Sequence, residues 1–259
     1  MKNLFAGIAF LVPFAIHAAP APIVTSTLDQ KNDEQQSFGI GMTSSIAQRP
    51  FVGVDDQNAS LLYLSYRHKS FYIEGLDFGY NFYKTDKIKI DLLATPRFYE
   101  VEPAFADNGE LDGLDKTKPT YLAGISMQTM ANNITYTFQA LHDLLESDGN
   151  EFVLQASKSF KLTDKFILSP SAGLTYQDAS LVDYFYGVQA NEVRTNRALY
   201  SGGSSINYNV SLHAKWKISK HLEMLGQLKY EVLGDGIVDS PIVNENSLYF
   251  ITLGLLYRY

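Results

Sequence analysis

The sequence predicts an all-β chain that closes into a transmembrane antiparallel up-and-down β-barrel of the outer membrane, with about 12 strands. Three observations predict it. Apolar residues recur at every second position in segment after segment, the period of a strand with one apolar and one polar face. The segments run to about ten to fourteen residues, where strands average five or six. The connections alternate between tight and long, which fits short periplasmic turns and longer outer loops.

The chain starts MKNLFAGIAFLVPFAIHAAPAP. Lys2 supplies a short basic region, residues 4–16 are almost wholly apolar, and small residues follow at Ala18 and Ala19. This is the make-up of a secretory signal peptide, residues 1–18, cleaved after Ala18. The run is too short for a spanning helix, and no later stretch approaches the roughly eighteen apolar residues a helical span needs. Residues 19–36 are polar and lose the period of two after Val24, so they read as a flexible periplasmic lead-in. The barrel is expected over 37–259.

Strands are expected near 37–46, 58–67, 70–74, 76–84, 87–99, 120–130, 133–143, 150–161, 165–178, 205–218, 221–233 and 247–259. In INYNVSLHAKWKI, Ile206, Tyr208, Val210 and Trp216 share one face, while Asn209, Ser211, His213 and Lys215 share the other. LEMLGQLKYEVL sets Met224, Leu228 and Tyr230 against Glu223, Lys229 and Glu231. KIKIDLLATPRF sets Ile88, Ile90 and Leu92 against Lys89, Asp91 and Arg97. In KFILSPSAGLTY the apolar face carries an aromatic at each end, Phe166 and Tyr176. Ten residues at about 3.3 Å, tilted by about 40°, span roughly 25 Å, the height of a barrel's apolar band between its aromatic girdles.

Residues 70–84 read either as one bent strand or as a hairpin. An even strand number is the rule for single-chain bacterial barrels. A tight outer turn is therefore expected at residues 74–77, around Gly75, which places both termini on the periplasmic side. The last segment, SLYFITLGLLYRY, puts Tyr249, Ile251, Leu253, Leu255, Tyr257 and Tyr259 on one stripe. Lipid is expected to cover that stripe, with the strand closing on the first because backbone polar groups in hydrocarbon must be paired. The segment also resembles the C-terminal signature of outer-membrane proteins, which implies recognition by the barrel-insertion machinery.

Composition excludes other classes. The net charge is −7 with no basic block, so nucleic acid is not an expected partner. There is no cysteine, hence no disulfide, thiolate zinc site or lipidated cysteine.

Four stretches carry a family resemblance. DYFYGV (183–188) and DSPIV (239–243) lie in the two longest late loops; YLSYRHKSFYIEG (63–75) and GGSSINYNVSLHAKW come from strand regions. In this order they resemble marks of the MltA-interacting protein (MipA/OmpV) family. The resemblance implies an outer-membrane barrel of a Gram-negative bacterium, set among outer-membrane lipid and lipopolysaccharide. It implies a scaffold linking a lytic transglycosylase to a murein synthase; other family members are described as adhesion- or osmotic-stress-related. It brings no catalytic residues, so none is assigned.

Charged residues fall on the inner faces: Lys89, Asp91, Arg97, His213, Lys215, Glu223, Lys229 and Glu231. They read as a selective pore or as an ion-paired network that packs the lumen. Eight-stranded barrels are filled and sixteen-stranded ones leave a channel; mixed signs here favour the network. An enzyme is not expected. His68 and His221 fall in periplasmic turns, His213 lies deep in the lumen, and the register of His142 points it toward lipid. No base is within reach of a nucleophile, and four scattered histidines make a poor metal site. DNGELDGLD (107–115) has clustered carboxylates but lacks the EF-hand spacing, so it reads as a solvated loop. No cofactor is expected. The expected function is a non-enzymatic envelope scaffold; the alternative is a small, weakly selective porin or an adhesion- or osmotic-stress-related barrel.

Overall fold

A computed structural model describes residues 36–259. The expected signal peptide and all but the last residue of the lead-in lie outside the described residues. The strands are β1 (Ser37–Ala47), β2 (Gln57–His68), β3 (Phe71–Glu74), β4 (Asp77–Lys84), β5 (Ile88–Arg97), β6 (Thr120–Ala131), β7 (Ile134–Asp143), β8 (Asn150–Ser157), β9 (Phe160–Lys161), β10 (Phe166–Gln177), β11 (Ser205–Lys217), β12 (Leu222–Val232) and β13 (Ser247–Arg258). Each pairs antiparallel with its neighbour, and β13 returns to β1 from Gly39↔Arg258 to Ala47↔Phe250, closing the barrel. Segments β8 and β9 both pair with β10 and make one stave, so the wall has twelve. The break between them faces Pro170, which has no N–H to donate.

Alternation sorts the side chains. Met42, Leu62, Leu92, Leu154, Val210, Leu228 and Leu253 are exposed on the outer surface, whereas Thr43, Ser65, Asp91, Thr137, Glu223 and Thr252 are buried inside. One end of the barrel has only tight turns. Asn132 and Asn133 both sit at positive φ (52° and 59°) between the paired Ala131 and Ile134. That two-residue turn matches the twist of its strands.

The expected turn around Gly75 is present, with φ +65°. It does not reach the far rim. β3 has four residues and pairs with only Ser65–His68 of β2, so the hairpin tip stops partway up the wall. There Gly75 N–H donates to Leu64 O at 2.8 Å. The Tyr63 ring lies over the glycine, 3.1 Å from where a Cβ would stand. Among the described residues, 57–63 face no strand on that side. β4 bulges between Asn81 and Tyr83.

The long connections are not all loop. Residues 179–186 form helix α1 (Ala179–Tyr186), begun by Asp178, whose side chain accepts from the Leu181 N–H. A one-turn helix, α2 (Asp235–Val238), follows β12. Phe51, Leu111, Leu114, Leu181, Phe185 and Ile237 bury their side chains together above the strands. Leu93, Leu122, Leu141 and Leu248, from the upper inner wall, join the same cluster. The long connections thus fold into a lid with its own apolar core.

Candidate functional site: a charged lumen beneath a folded lid

Lys89, Asp91, Arg97, Lys215, Glu223, Lys229 and Glu231 pair in clusters, and His213 stands apart from them. Toward the turn end, Glu223 accepts from Arg258 at 2.7 Å and pairs with Lys215 at 3.3 Å; Arg258 also donates to Ser65 at 3.0 Å. Behind β3 and β4, Asp91 pairs with Lys89 at 3.0 Å and accepts from Asn81 at 2.8 Å and from Tyr72 at 3.3 Å. The Tyr72 ring lies flat on Gly79, its cross-strand partner, and any Cβ there would overlap the ring. Arg67 and Lys89 stand over that ring at 4.9 and 5.0 Å. Their cationic heads gain from its negative face. Nearer the lid, Arg97 holds Glu151 at 2.5 Å, and Tyr99 and Gln177 donate to the same carboxylate at 3.1 and 3.2 Å. Lys229 pairs with Glu231 at 3.1 Å and stands 5.3 Å over Phe250.

Between these clusters lies a cavity of 140 Å³, lined in part by His213, Gln227, Lys229, Asn209, Gln155 and Phe250. The Nδ1 of His213 and the Oε1 of Gln227 are buried without a hydrogen-bond partner among the described residues.

The lid lies over the loop end of the barrel. Arg49, just past β1, donates to the carbonyls of Phe98 (2.8 Å) and Glu100. Ser240 Oγ donates to Tyr186 O at 2.6 Å, and Tyr200 OH to Gly236 O at 2.9 Å, tying α1 and α2 together. Arg197 donates to the carbonyls of Glu110 and Asp112 at 3.2 and 2.9 Å. Burial raises the Tyr186 phenol above its ordinary value. Burial and the hydrogen bond to Glu146, 2.7 Å away, push Tyr184 up to about 12.

The sequence motifs find their places here. DYFYGV supplies Phe185, Tyr186 and Val188 to the lid core, and DSPIV supplies Ile242 and the Ser240 hydroxyl. DNGELDGLD is not simply a solvated loop: Leu111 and Leu114 are buried in that core. The lid clasp Arg49 was not legible, because it stands two residues past the end of β1, in a loop with no period to mark it.

The histidines stay apart. His142 faces outward beside Asn150 (3.1 Å) and Asp148 (3.2 Å), His221 Nδ1 donates to Arg258 O (2.9 Å) by the turn end, and among the described histidines only His213 lines the cavity. On β13, Ile251, Leu253, Leu255, Tyr257 and Tyr259 are exposed on the outer face and Tyr249 is half-buried there. Tyr259 N–H donates to Phe38 O at 3.0 Å, and the two rings lie 5.3 Å apart.

An apolar outer belt, a paired-charge lumen and twelve closed staves define an outer-membrane β-barrel. The chain belongs to the MltA-interacting protein MipA family, whose model matches residues 40–259. It is 27% identical over 224 residues to the "Putative outer membrane protein YiaT" of Escherichia coli K12, covering 86% of this chain and 91% of that one. It is 23% identical to the "MltA-interacting protein" of the same organism, covering 86% and 90%. It is 26% identical to "Outer membrane protein OmpV" of Vibrio cholerae, covering 57% of each. Among solved structures, the COG4313 outer membrane channel from Pseudomonas putida F1 superposes with a TM-score of 0.46 at 10% identity, covering 96% of this chain and 100% of that one. The KdgM porin gives 0.39 at 9%, covering 85% and 98%.

Proposed function

We propose that this outer-membrane barrel is a closed, non-enzymatic envelope scaffold that links a murein hydrolase to a murein synthase. The lid carries the reading. Its buried aromatic and aliphatic side chains, with Phe185 and Ile237 at the centre, fill the mouth that a porin leaves open. The name of one relative, MltA-interacting protein, supports a lytic transglycosylase as one partner. Tight turns face the periplasm in barrels of this kind. Both β1 and β13 have their termini at the tight-turn end. On this reading the lead-in and the C-terminus are periplasmic, and the lead-in is the one stretch there long enough to wrap a partner.

The test is planar-bilayer recording of the refolded barrel, paired with capture of lytic transglycosylase. Silence with capture supports the scaffold. Steady open-channel current without capture supports the second reading, a small, weakly selective porin, which the cavity within the lumen favours. Capture lost on deleting residues 21–32, with normal heat-modifiable migration, places docking on the lead-in; undiminished capture removes the lead-in from the proposal. An adhesion- or osmotic-stress-related role draws no support from any particular side chain.

A further inference from the structure

We propose that the chamber under the lid binds one small, neutral polyhydroxy solute, of the size of a pentose or hexose. Size sets the first bound. A cavity of 140 Å³ holds about five waters at roughly 30 Å³ each. One sugar ring or short polyol displaces about that much, and an oligosaccharide does not fit.

Charge sets the second bound. The ions at the chamber wall are already matched: Arg97 with Glu151, and Lys229 with Glu231. Glu151 also takes hydrogen bonds from Tyr99 and Gln177. A charged solute would enter a place where each charge has its partner, and would lose its hydration without a counterion.

The uncharged polar groups on the wall include amides, a hydroxyl and an imidazole: Gln139, Gln155, Asn209, Ser211, His213 and Gln227. Gln227 is only 5% exposed, and its Oε1 has no donor. His213 stands directly across the strand pair from it, with Nδ1 also unpartnered. Buried polar atoms without partners cost free energy until something supplies the bond. These two atoms, on directly paired residues, suit the hydroxyl groups of a polyol. Phe98 and Phe250, on the same wall, offer apolar faces for the C–H side of a sugar ring.

The test uses the full mature barrel refolded in a detergent without a sugar head. Ligand-observed saturation-transfer NMR is run with D-glucose, with D-gluconate as the charged probe and cyclohexanol as the single-hydroxyl probe. Wild type should give transfer to glucose and little to the other two. Gln227→Leu and, separately, Ser211→Ala should weaken the glucose signal about fivefold each, the effect of one neutral hydrogen bond. Heat-modifiable migration checks that each variant is a closed barrel. No glucose transfer from wild type means a chamber that holds water only, and overturns the proposal. Equal transfer to gluconate, or glucose transfer unchanged in both folded variants, overturns it too.

Discussion

Arg97 on β5 crosses the lumen to Glu151 on β8, with Nη2 at 2.5 Å and Nε at 3.0 Å from the same carboxylate oxygen. Two staves, β6 and β7, separate them along the wall. Glu151 is 1% exposed. Removing the arginine alone leaves a buried charge unpaired, which costs about 3–5 kcal/mol. Arg97→Met should therefore lower the urea midpoint of the refolded barrel strongly. Arg97→Met with Glu151→Leu should recover most of it. A double variant as unstable as the single one would show that the pair is not the source of the loss.

The lid makes a conductance prediction. Phe185 is buried in the lid core and touches Tyr99 and Tyr184 edge-on, with ring centroids 5.6 and 4.8 Å away. Phe185→Asp forces a carboxylate into that core, where it has no partner. The lid should loosen while the wall keeps its hydrogen bonds. Planar-bilayer current should appear in the variant and not in wild type. An equally silent variant with a closed barrel would place the barrier deeper in the lumen.

Alkali should open the same lid. Tyr184 titrates near 12 when folded, against about 10 when free. Between about pH 10 and 12 the folded lid holds a proton that the unfolded lid has lost, so lid stability falls as pH rises through that window and is unaffected below it. Near-ultraviolet circular dichroism should lose its aromatic signal across this range. Tyr184→Phe should make that transition shallower by about one proton. An identical slope would remove Tyr184 from the account.

Gly79 predicts a packing limit. Tyr72 lies on it, and the ring's place fixes the Asp91 hydrogen bond and the two cation contacts. Gly79→Leu should displace the ring and cost about 1–3 kcal/mol. The urea midpoint reads it, with Gly203→Leu as the control, since nothing stands within 4 Å of that position.

The terminal ring contacts predict a sorting defect. Tyr259 packs on Phe38 and on Tyr257 at the seam where β13 meets β1. Tyr259→Asp should strand the protein in the periplasm or expose it to degradation, read by cell fractionation. Normal outer-membrane levels would show that Tyr259 is not part of the insertion signal.

The wall was legible because its physics has one period. Alternation alone assigns Lys89, Asp91, Arg97, His213, Lys215, Glu223, Lys229 and Glu231 to the polar face of their strands. The lid was not legible as a lid. Leu181, Val182, Phe185 and Tyr186 do have helical spacing, and Asp178 is an N-cap residue type. The helix is only eight residues long, and its burial depends on Phe51 and Ile237, far away in sequence. The partners of each lumen charge were equally hidden, because Arg97 and Glu151 are brought together by closure and not by any local spacing. The height of the β3–β4 hairpin was hidden too: alternation marks which way a residue faces, not where its strand stops.

That short hairpin changes what kind of container this is. Around most of its circumference the barrel is hooped by unbroken ladders from end to end. Above Gly75 the hoop is open, since residues 57–63 of β2 meet no strand there. The lower half is a ring and the upper half is a split collar. A ring can widen only by breaking backbone bonds, but a split collar can flex at its slit. On the outer surface beside the slit stand Asn58, Ser60 and Ser44, with Ser60 donating to Ser44 at 3.2 Å, where other staves carry apolar side chains. Hydrocarbon does not satisfy such groups. The two serines satisfy one another there, and the molecule has a front and a back within the plane of the membrane.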